Sequence, residues 1–232
     1  MLLGLREVAG LFGVPEKTLE KWIKEDSLPA IKVGGQYRFN KTEILEWATK
    51  RQIPVSSVMF SDSQGANRGE VAGIRAALSA GGIRYGVTGD GRDQVLENAL
   101  ALMPIPDSVD RLFLLHILKA REAQGSTGIG EGIAIPHVRN PIVLDIPEPM
   151  ITLCFLETAV EFGAIDGKPV HTLFMMISPT IGMHLNLLSR LAFALRQPTF
   201  SRAVQDRLPA DEILIMAGEV DAMLLSRVPG GS

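Results

Sequence analysis

The sequence predicts an α/β protein in two parts: a small helical head with a two-stranded wing, then a larger layered α/β body. Three observations predict it. Near the start, two runs with helical spacing precede alternating residues around Gly34-Gly35, a hairpin signal. The segment Pro54–Gly69, PVSSVMFSDSQGANRG, is rich in Ser, Gly, Asn and Asp and has no sustained period, as expected of a linker. Beyond it, strand-like apolar runs alternate with helical ones, the pattern of layered α/β domains. The expected parts are residues 1–53, a linker at 54–68, and residues 69–232.

In the head, Leu5, Val8, Ala9 and Phe12 share a helical face, and Gly13 ends that helix. Pro15 opens a second helix over Glu16–Glu25, since proline fits a first turn. Leu19, Trp22 and Ile23 form its apolar stripe, and Leu28–Pro29 stops it. Ile31 to Phe39 reads as the two strands of the wing. A third helix is expected from Thr42, as N-cap, to Lys50, with Ile44, Leu45, Trp47 and Ala48 as its apolar face. A short strand is expected near Val55–Phe60. In the body, helices are expected over Val71–Leu78 (ending at Gly81-Gly82), Gln94–Leu102, Val109–Glu122, His184–Arg196, Thr199–Asp206 and Asp211–Leu225. Strands are expected over Ile83–Val87, Ile133–Ile135, Met150–Leu156 and Val170–Ile177.

Charge separates the parts. Residues 1–53 hold nine Lys/Arg against seven Asp/Glu, and the remainder 14 against 19. A mildly basic head on an acidic body points to two jobs. The single cysteine, Cys154, excludes an internal disulfide framework and fits a reducing compartment. Its apolar surroundings predict a buried thiol. No secretory leader is read at the N-terminus. The longest apolar runs fall far short of the ~18–20 residues of a spanning helix. A soluble, cytoplasmic protein without membrane insertion is expected.

Two helices joined by a tight turn, then a wing, form a nucleic-acid-binding pattern. The stretch REVAGLFGVPEKTLEKWIKEDSLPAIKVGGQYRFNKTEILEWATKR resembles the excisionase/MerR-type winged helix-turn-helix. The resemblance implies that the second helix enters the major groove of DNA. Lys17, Thr18 and Lys21 would then face the bases, while Lys32, Gln36, Tyr37 and Arg38 on the wing would touch the backbone or minor groove. Lys and Arg offset phosphate charge, and Thr or Gln can read base edges. So few cationic contacts bind weakly, and a homodimer would double them. The rival reading of the head is a protein-docking module.

The body holds GSTGIGEGIAIPHVRN, from Gly125 to Asn140. A dinucleotide-binding loop follows a strand and opens a helix; here the order is reversed. There is no Gly-Lys-Ser/Thr ending, which excludes a P-loop. Zinc held by Cys154, His137, His171 and His184 lacks the short paired spacings of zinc sites, so no metal is expected. A Ser-His-Asp hydrolase lacks its nucleophile elbow. Asp166 precedes Gly167 and reads as a turn residue. His116 and His171 read as structural.

The order REAQGSTGIGEGIAIPH, followed by FGAIDGKPVHTLFMMISP and HLNLLSRLAFAL, resembles enzyme IIA of the fructose/mannitol class in the bacterial sugar phosphotransferase system, with the nitrogen-regulatory branch nearest. The resemblance covers residues 69–225. It implies a type 2 IIA fold, a mixed sheet flanked by helices. It also implies phosphorylation of His137 by a histidine-phosphorylated phosphocarrier protein, with His184 beside it and no cofactor or metal. A neutral imidazole is nucleophilic near neutral pH. Pro136 stiffens the end of the strand, which would put His137 at a surface edge. Amides of Gly128–Gly132, Gly128 and Gly130 among them, could converge on phosphate oxygens. Arg121 could add a charged fork, and Ser126 and Thr127 hydroxyl donors. Val138 and Arg139 depart from the family, which often has glycine after the histidine.

Two functions follow. In one, the chain is a regulator in which phosphorylation changes what the head binds. In the other, it is a transport component that passes phosphate to a separate IIB domain while the head docks.

Overall fold

The computed structural model describes residues 2–26, 28–51, 53, 72–138 and 146–226. The expected linker, the strand near Val55–Phe60 and Arg139 lie outside them. The chain divides into two units, Met1–Asn67 and Arg68–Ser232.

The head starts with a strand that its sequence does not announce. Leu2–Gly4 (β1) pairs antiparallel with Gln36–Asn40 (β3), which also pairs with Ile31–Val33 (β2), giving the order β1-β3-β2. The wing turns through Gly34 and Gly35, at φ 57° and 80°, conformations that a two-residue hairpin turn requires and glycine adopts freely. Helices Leu5–Phe12 (α1) and Glu16–Glu25 (α2) flank the turn at Gly13, which is left-handed at φ 64° and closes the first helix. The third helix is Lys41–Lys50 (α3). Its N-cap is Asn40 rather than Thr42: Asn40 has extended backbone, and its Oδ1 accepts from the Thr42 amide at 2.9 Å. Phe12, Trp22 and Trp47 centre the head's core, with ring centroids 5.3–6.1 Å apart. The indole Nε1 of Trp47 donates to the Asp26 carbonyl at 3.0 Å.

The body runs Ile74–Gly81 (α4), Ile83–Val87 (β4), Arg92–Ala101 (α5), Arg111–Ala123 (α6), Gly128–Gly130 (β5), Ile133–Ala134 (β6), Met150–Val160 (β7), Val170–Ile177 (β8), Ile181–Leu195 (α7), Pro198–Gln205 (α8) and Ala210–Ser226 (α9). Its five-stranded sheet has the order β4-β7-β8-β6-β5. The pairings β4/β7 and β6/β8 are parallel, while β7/β8 and β5/β6 are antiparallel. This is a mixed sheet with helices on both faces. Cys154, Leu156, Leu173 and Met175 point to one face, into a cluster with Leu96, Leu100, Leu114 and Leu118 of α5 and α6. Leu153, Phe155 and Phe174 alternate to the other face and are equally buried, so both strands read as continuous apolar runs. Here α4 packs on β7, with α7 and α9 against α4. A Cβ at Gly81 would collide with the Ile151 carbonyl, so glycine lets that helix end press on the sheet.

One contact ties the two ends of the body together. Asp221 on α9 accepts from the amides of Ile74 and Arg75 at 2.9 and 3.0 Å. It thus caps the first turn of α4 from outside that helix, where a negative charge is favoured. Arg190 of α7 stands 3.5 Å from the same carboxylate. Among the described residues no helix is long and apolar enough to cross a membrane.

Candidate functional site

The candidate site lies where the end of β6 meets the start of α7. The chain leaves β6 through Ile135 and Pro136, and His137 bridges in parallel to Met176 of β8, with the Met176 amide donating to the Pro136 carbonyl at 3.0 Å. Helix α7 begins just past β8. Thr180 is its N-cap, its Oγ1 accepting from the Met183 amide, and His184 follows in the first turn. The imidazoles of His137 and His184 meet with centroids 5.2 Å apart and planes inclined by 41°.

The tautomer of His137 follows from one bond. Its Nδ1 lies 2.6 Å from the Ile135 carbonyl oxygen. A carbonyl only accepts, so Nδ1 carries a hydrogen, and in the neutral ring the lone pair is on Nε2.

Both rings are buried: His137 is 3% exposed and His184 0%. This corrects the expectation of a surface edge. Pro136 stiffens the strand exit, but the His137 backbone continues the sheet beside Met176, and its ring bonds back to the Ile135 carbonyl next to His184. Val138 is also buried, packed into the core with Ile146 and Leu156, so valine at this position serves packing.

The glycine-rich stretch is only partly a loop. Gly128 and Gly130 form an edge strand against Ala134 and Ile133. The Gly128 amide is taken by Ser126 Oγ at 2.9 Å, and the Glu131 amide by Asp166 Oδ2 at 2.9 Å. The expected cradle of free amides is corrected at these two positions. Glu131 sits at φ 52°, a left-handed conformation uncommon outside glycine. Asp166 also accepts from the Lys168 amide; these backbone donors hold its carboxyl below the usual range. It is thus a turn residue that also ties two loops.

Arg121 and Glu122 end α6. Arg121 is buried, and its Nη1 donates to the Gly125 carbonyl at 2.6 Å. Glu122 accepts from both the amide and the hydroxyl of Thr127, at 2.9 and 2.7 Å. The Thr127 hydroxyl proton is therefore committed to Glu122, which corrects its expected role as a phosphate donor. Ser126 Oγ accepts from Gly128 and keeps its proton to give. The Glu122 contact is absent from the sequence reading.

The other histidines stand apart from the pair. His171 is half-buried, bonds Thr172 Oγ1 through Nδ1 at 2.8 Å, and occupies the space a Cβ on Gly132 would need. Burial pushes its pKa down, and Arg207 adds to that. His116 is exposed on α6. Cys154 is fully buried, and desolvation pushes its thiol up to about 12. Among the described residues no group of three His, Cys, Asp or Glu side chains is gathered for a metal.

The head's predicted contacts lie on α2 and the wing. Lys17 and Lys21 are exposed and Thr18 half-buried, with Lys21 3.5 Å from Glu25. Glu16 and Glu20 share the exposed surface of this helix. On the wing, Lys32 lies over the Tyr37 ring at 5.2 Å, and Arg38 donates to Gln36 at 2.9 Å.

Two families match this chain. The pattern described as "Phosphoenolpyruvate-dependent sugar phosphotransferase system, EIIA 2" covers residues 78–217, and "Helix-turn-helix domain" covers residues 2–52. A nitrogen regulatory protein of Pseudomonas aeruginosa is 36% identical over 139 residues, which is 58% of this chain and 85% of that protein. The fructose-specific EIIABC component of Bacillus subtilis is 29% identical over 152 residues, 64% of this chain but 23% of that longer protein. The crystal structure of nitrogen regulatory protein IIA-Ntr from Neisseria meningitidis superposes with a TM-score of 0.51 and 29% identity, over 58% of this chain and 92% of that one.

Proposed function

The chain belongs to the EIIA 2 family of the phosphoenolpyruvate-dependent sugar phosphotransferase system, and on that premise we propose that it is a regulatory phosphoryl carrier that receives its phosphoryl group on Nε2 of His137. The observation that carries the reading is the ring pair, with Nδ1 of His137 held at the Ile135 carbonyl, which leaves Nε2 as the nucleophilic nitrogen of the neutral ring in this reading. In the transfer, Nε2 attacks the phosphorus of a phosphohistidine on a carrier protein. The new N–P bond forms as the donor's N–P bond breaks, and the bonding pair returns to the donor ring. Positioning and electrostatics do most of such work. His184 contributes the neighbouring ring at a helix N-terminus, where negative charge is favoured. Arg121 supplies a permanent positive charge near the loop, and Ser126 a hydroxyl donor. Because His137 is 3% exposed, the donor must displace what covers the ring.

The regulatory reading draws on the nitrogen regulatory relatives and on the helix-turn-helix domain sharing the chain. In it, the head binds DNA through Lys17, Thr18, Lys21 and the wing, and phosphorylation of His137 alters that binding. The charge added at the site is the physical lever. Both tryptophans lie in the head, so their fluorescence reports DNA engagement without a label. Titrating DNA at fixed salt, with and without phosphorylation, tests the coupling: a changed affinity supports it, and identical curves contradict it.

A second reading is favoured by two observations. A transport component is among the relatives, and the exposed face of α2 mixes Lys17 and Lys21 with Glu16 and Glu20, which weakens attraction to phosphate. Here the body passes its phosphoryl group to a IIB domain and the head docks a protein. Rapid discharge of phospho-His137 to a IIB partner, with no DNA binding, would decide for it.

A further inference from the structure

Glu122 has no part in the readings above, yet it is the buried acidic group nearest in sequence to the glycine-rich stretch. It is 2% exposed, as is Thr127. Its two carboxylate oxygens take the two donors of one residue, the Thr127 amide and hydroxyl. An ionised carboxylate is acceptor-only, so two donors match it. A buried carboxylate so engaged holds its partner in one place, because releasing either bond leaves a polar atom unsatisfied in a dry site.

The grip reaches further along the backbone. The Thr127 carbonyl accepts from the Ile135 amide at 3.1 Å. Ile135 in turn offers its own carbonyl to Nδ1 of His137. Three successive links therefore run from the end of α6 to the imidazole: carboxylate to Thr127, Thr127 to Ile135, Ile135 to His137. On the other side, the turn that Glu122 closes includes Gly125, whose amide donates to the Glu122 carbonyl at 3.2 Å and whose carbonyl receives Arg121 Nη1. One carboxylate thus sets the loop between the Arg121 side chain and the strand that presents His137.

We infer that Glu122 is a positioning residue: by clamping Thr127 it holds the Ile135 carbonyl that keeps the hydrogen of His137 on Nδ1 and the lone pair on Nε2. This deepens the phosphoryl-carrier reading and rests on it for its purpose. The link to the ring is measurable without any phosphoryl transfer.

The test uses the full unphosphorylated chain, labelled with ¹⁵N, and long-range ¹H–¹⁵N correlation of the imidazoles. Wild type should show His137 with a protonated Nδ1 and an unprotonated Nε2. Thr127→Val removes the hydroxyl donor at nearly constant shape, and Glu122→Ala removes the clamp. In both, the two His137 nitrogens should move toward averaged shifts, while His116 and His171 hold theirs. Thr127→Ser should restore the wild-type pattern. The rate of phosphoryl uptake from a phosphocarrier should fall at least about tenfold in Thr127→Val, without a change in KM for the donor. A loss of stability alone would leave the tautomer of the folded fraction untouched. Wild-type His137 shifts in a folded Thr127→Val protein overturn the inference. Should Glu122→Ala fail to fold, Thr127→Val decides alone. If wild type takes up no phosphoryl group, the carrier reading fails, and the ring shifts still decide the role of Glu122.

Discussion

The imidazole rings of His137 and His184 lie 5.2 Å apart, one at the end of a strand and the other in the first turn of a helix. Their functions need not be equal. Nε2 of His137 is the proposed acceptor, and His184 is the neighbouring ring. His184→Ala should therefore slow phosphoryl uptake, on the order of tenfold to a hundredfold, while the label still reaches His137. His137→Ala should abolish it. Quench-flow labelling from a phosphorylated carrier separates the two. Label retained in His137→Ala would make His184 an acceptor in its own right.

Burial sets a second expectation. His116 is exposed, whereas His137 is 3% exposed. Diethylpyrocarbonate should modify His116 quickly and His137 slowly, as followed by peptide mass spectrometry. Comparable rates would mean that the His137 ring is far more open in solution.

The cap of α4 by Asp221 is a long-range tie, and removing it should be felt by the whole body. Asp221→Ala leaves two helix amides without their acceptor and Arg190, already desolvated, without its counter-charge. A loss of about 2–4 kcal/mol is expected in urea unfolding of the body. Asp221→Asn, which keeps an acceptor oxygen, should cost less. The head's tryptophan signal should unfold as before.

Acid should act on the body through His171. Its pKa is lowered from 6.5 in the folded chain by burial first and by Arg207 second. Below 6.5 the unfolded chain binds this proton more readily, so stability falls as pH drops through that value toward the folded pKa. Above it the term vanishes. Denaturant midpoints for wild type should therefore decline from pH 7.5 to about 5 more steeply than for His171→Asn. Parallel slopes would remove His171 from the account.

Much of this fold is legible in the chain because its signals are local. Leu5, Val8 and Phe12 repeat at helical spacing, Gly34-Gly35 turns the wing, and the apolar runs of β7 and β8 are long enough to show a buried sheet. Leu2–Gly4 and Gly128–Gly130 were not legible as strands, because their pairing depends on distant or weakly patterned partners. Thr42 and Asn40 are both good caps, and only the backbone of Asn40 decides between them. At the site, the histidine pair follows from the resemblance of the stretches around His137 and His184. The burial of His137 and the Glu122–Thr127 clamp do not. Each depends on how separate segments close on one another, and a carboxylate beside an arginine at a helix end looks like any solvated pair.

The most direct measurement is ³¹P and ¹⁵N NMR of the full chain after incubation with phosphoenolpyruvate, enzyme I and a phosphocarrier protein. One acid-labile phosphoryl group on Nε2 of His137, absent from His137→Ala, is the expected result. A phosphoryl group on Nδ1 or on another residue, or none in folded protein under conditions that charge the carrier, would contradict it.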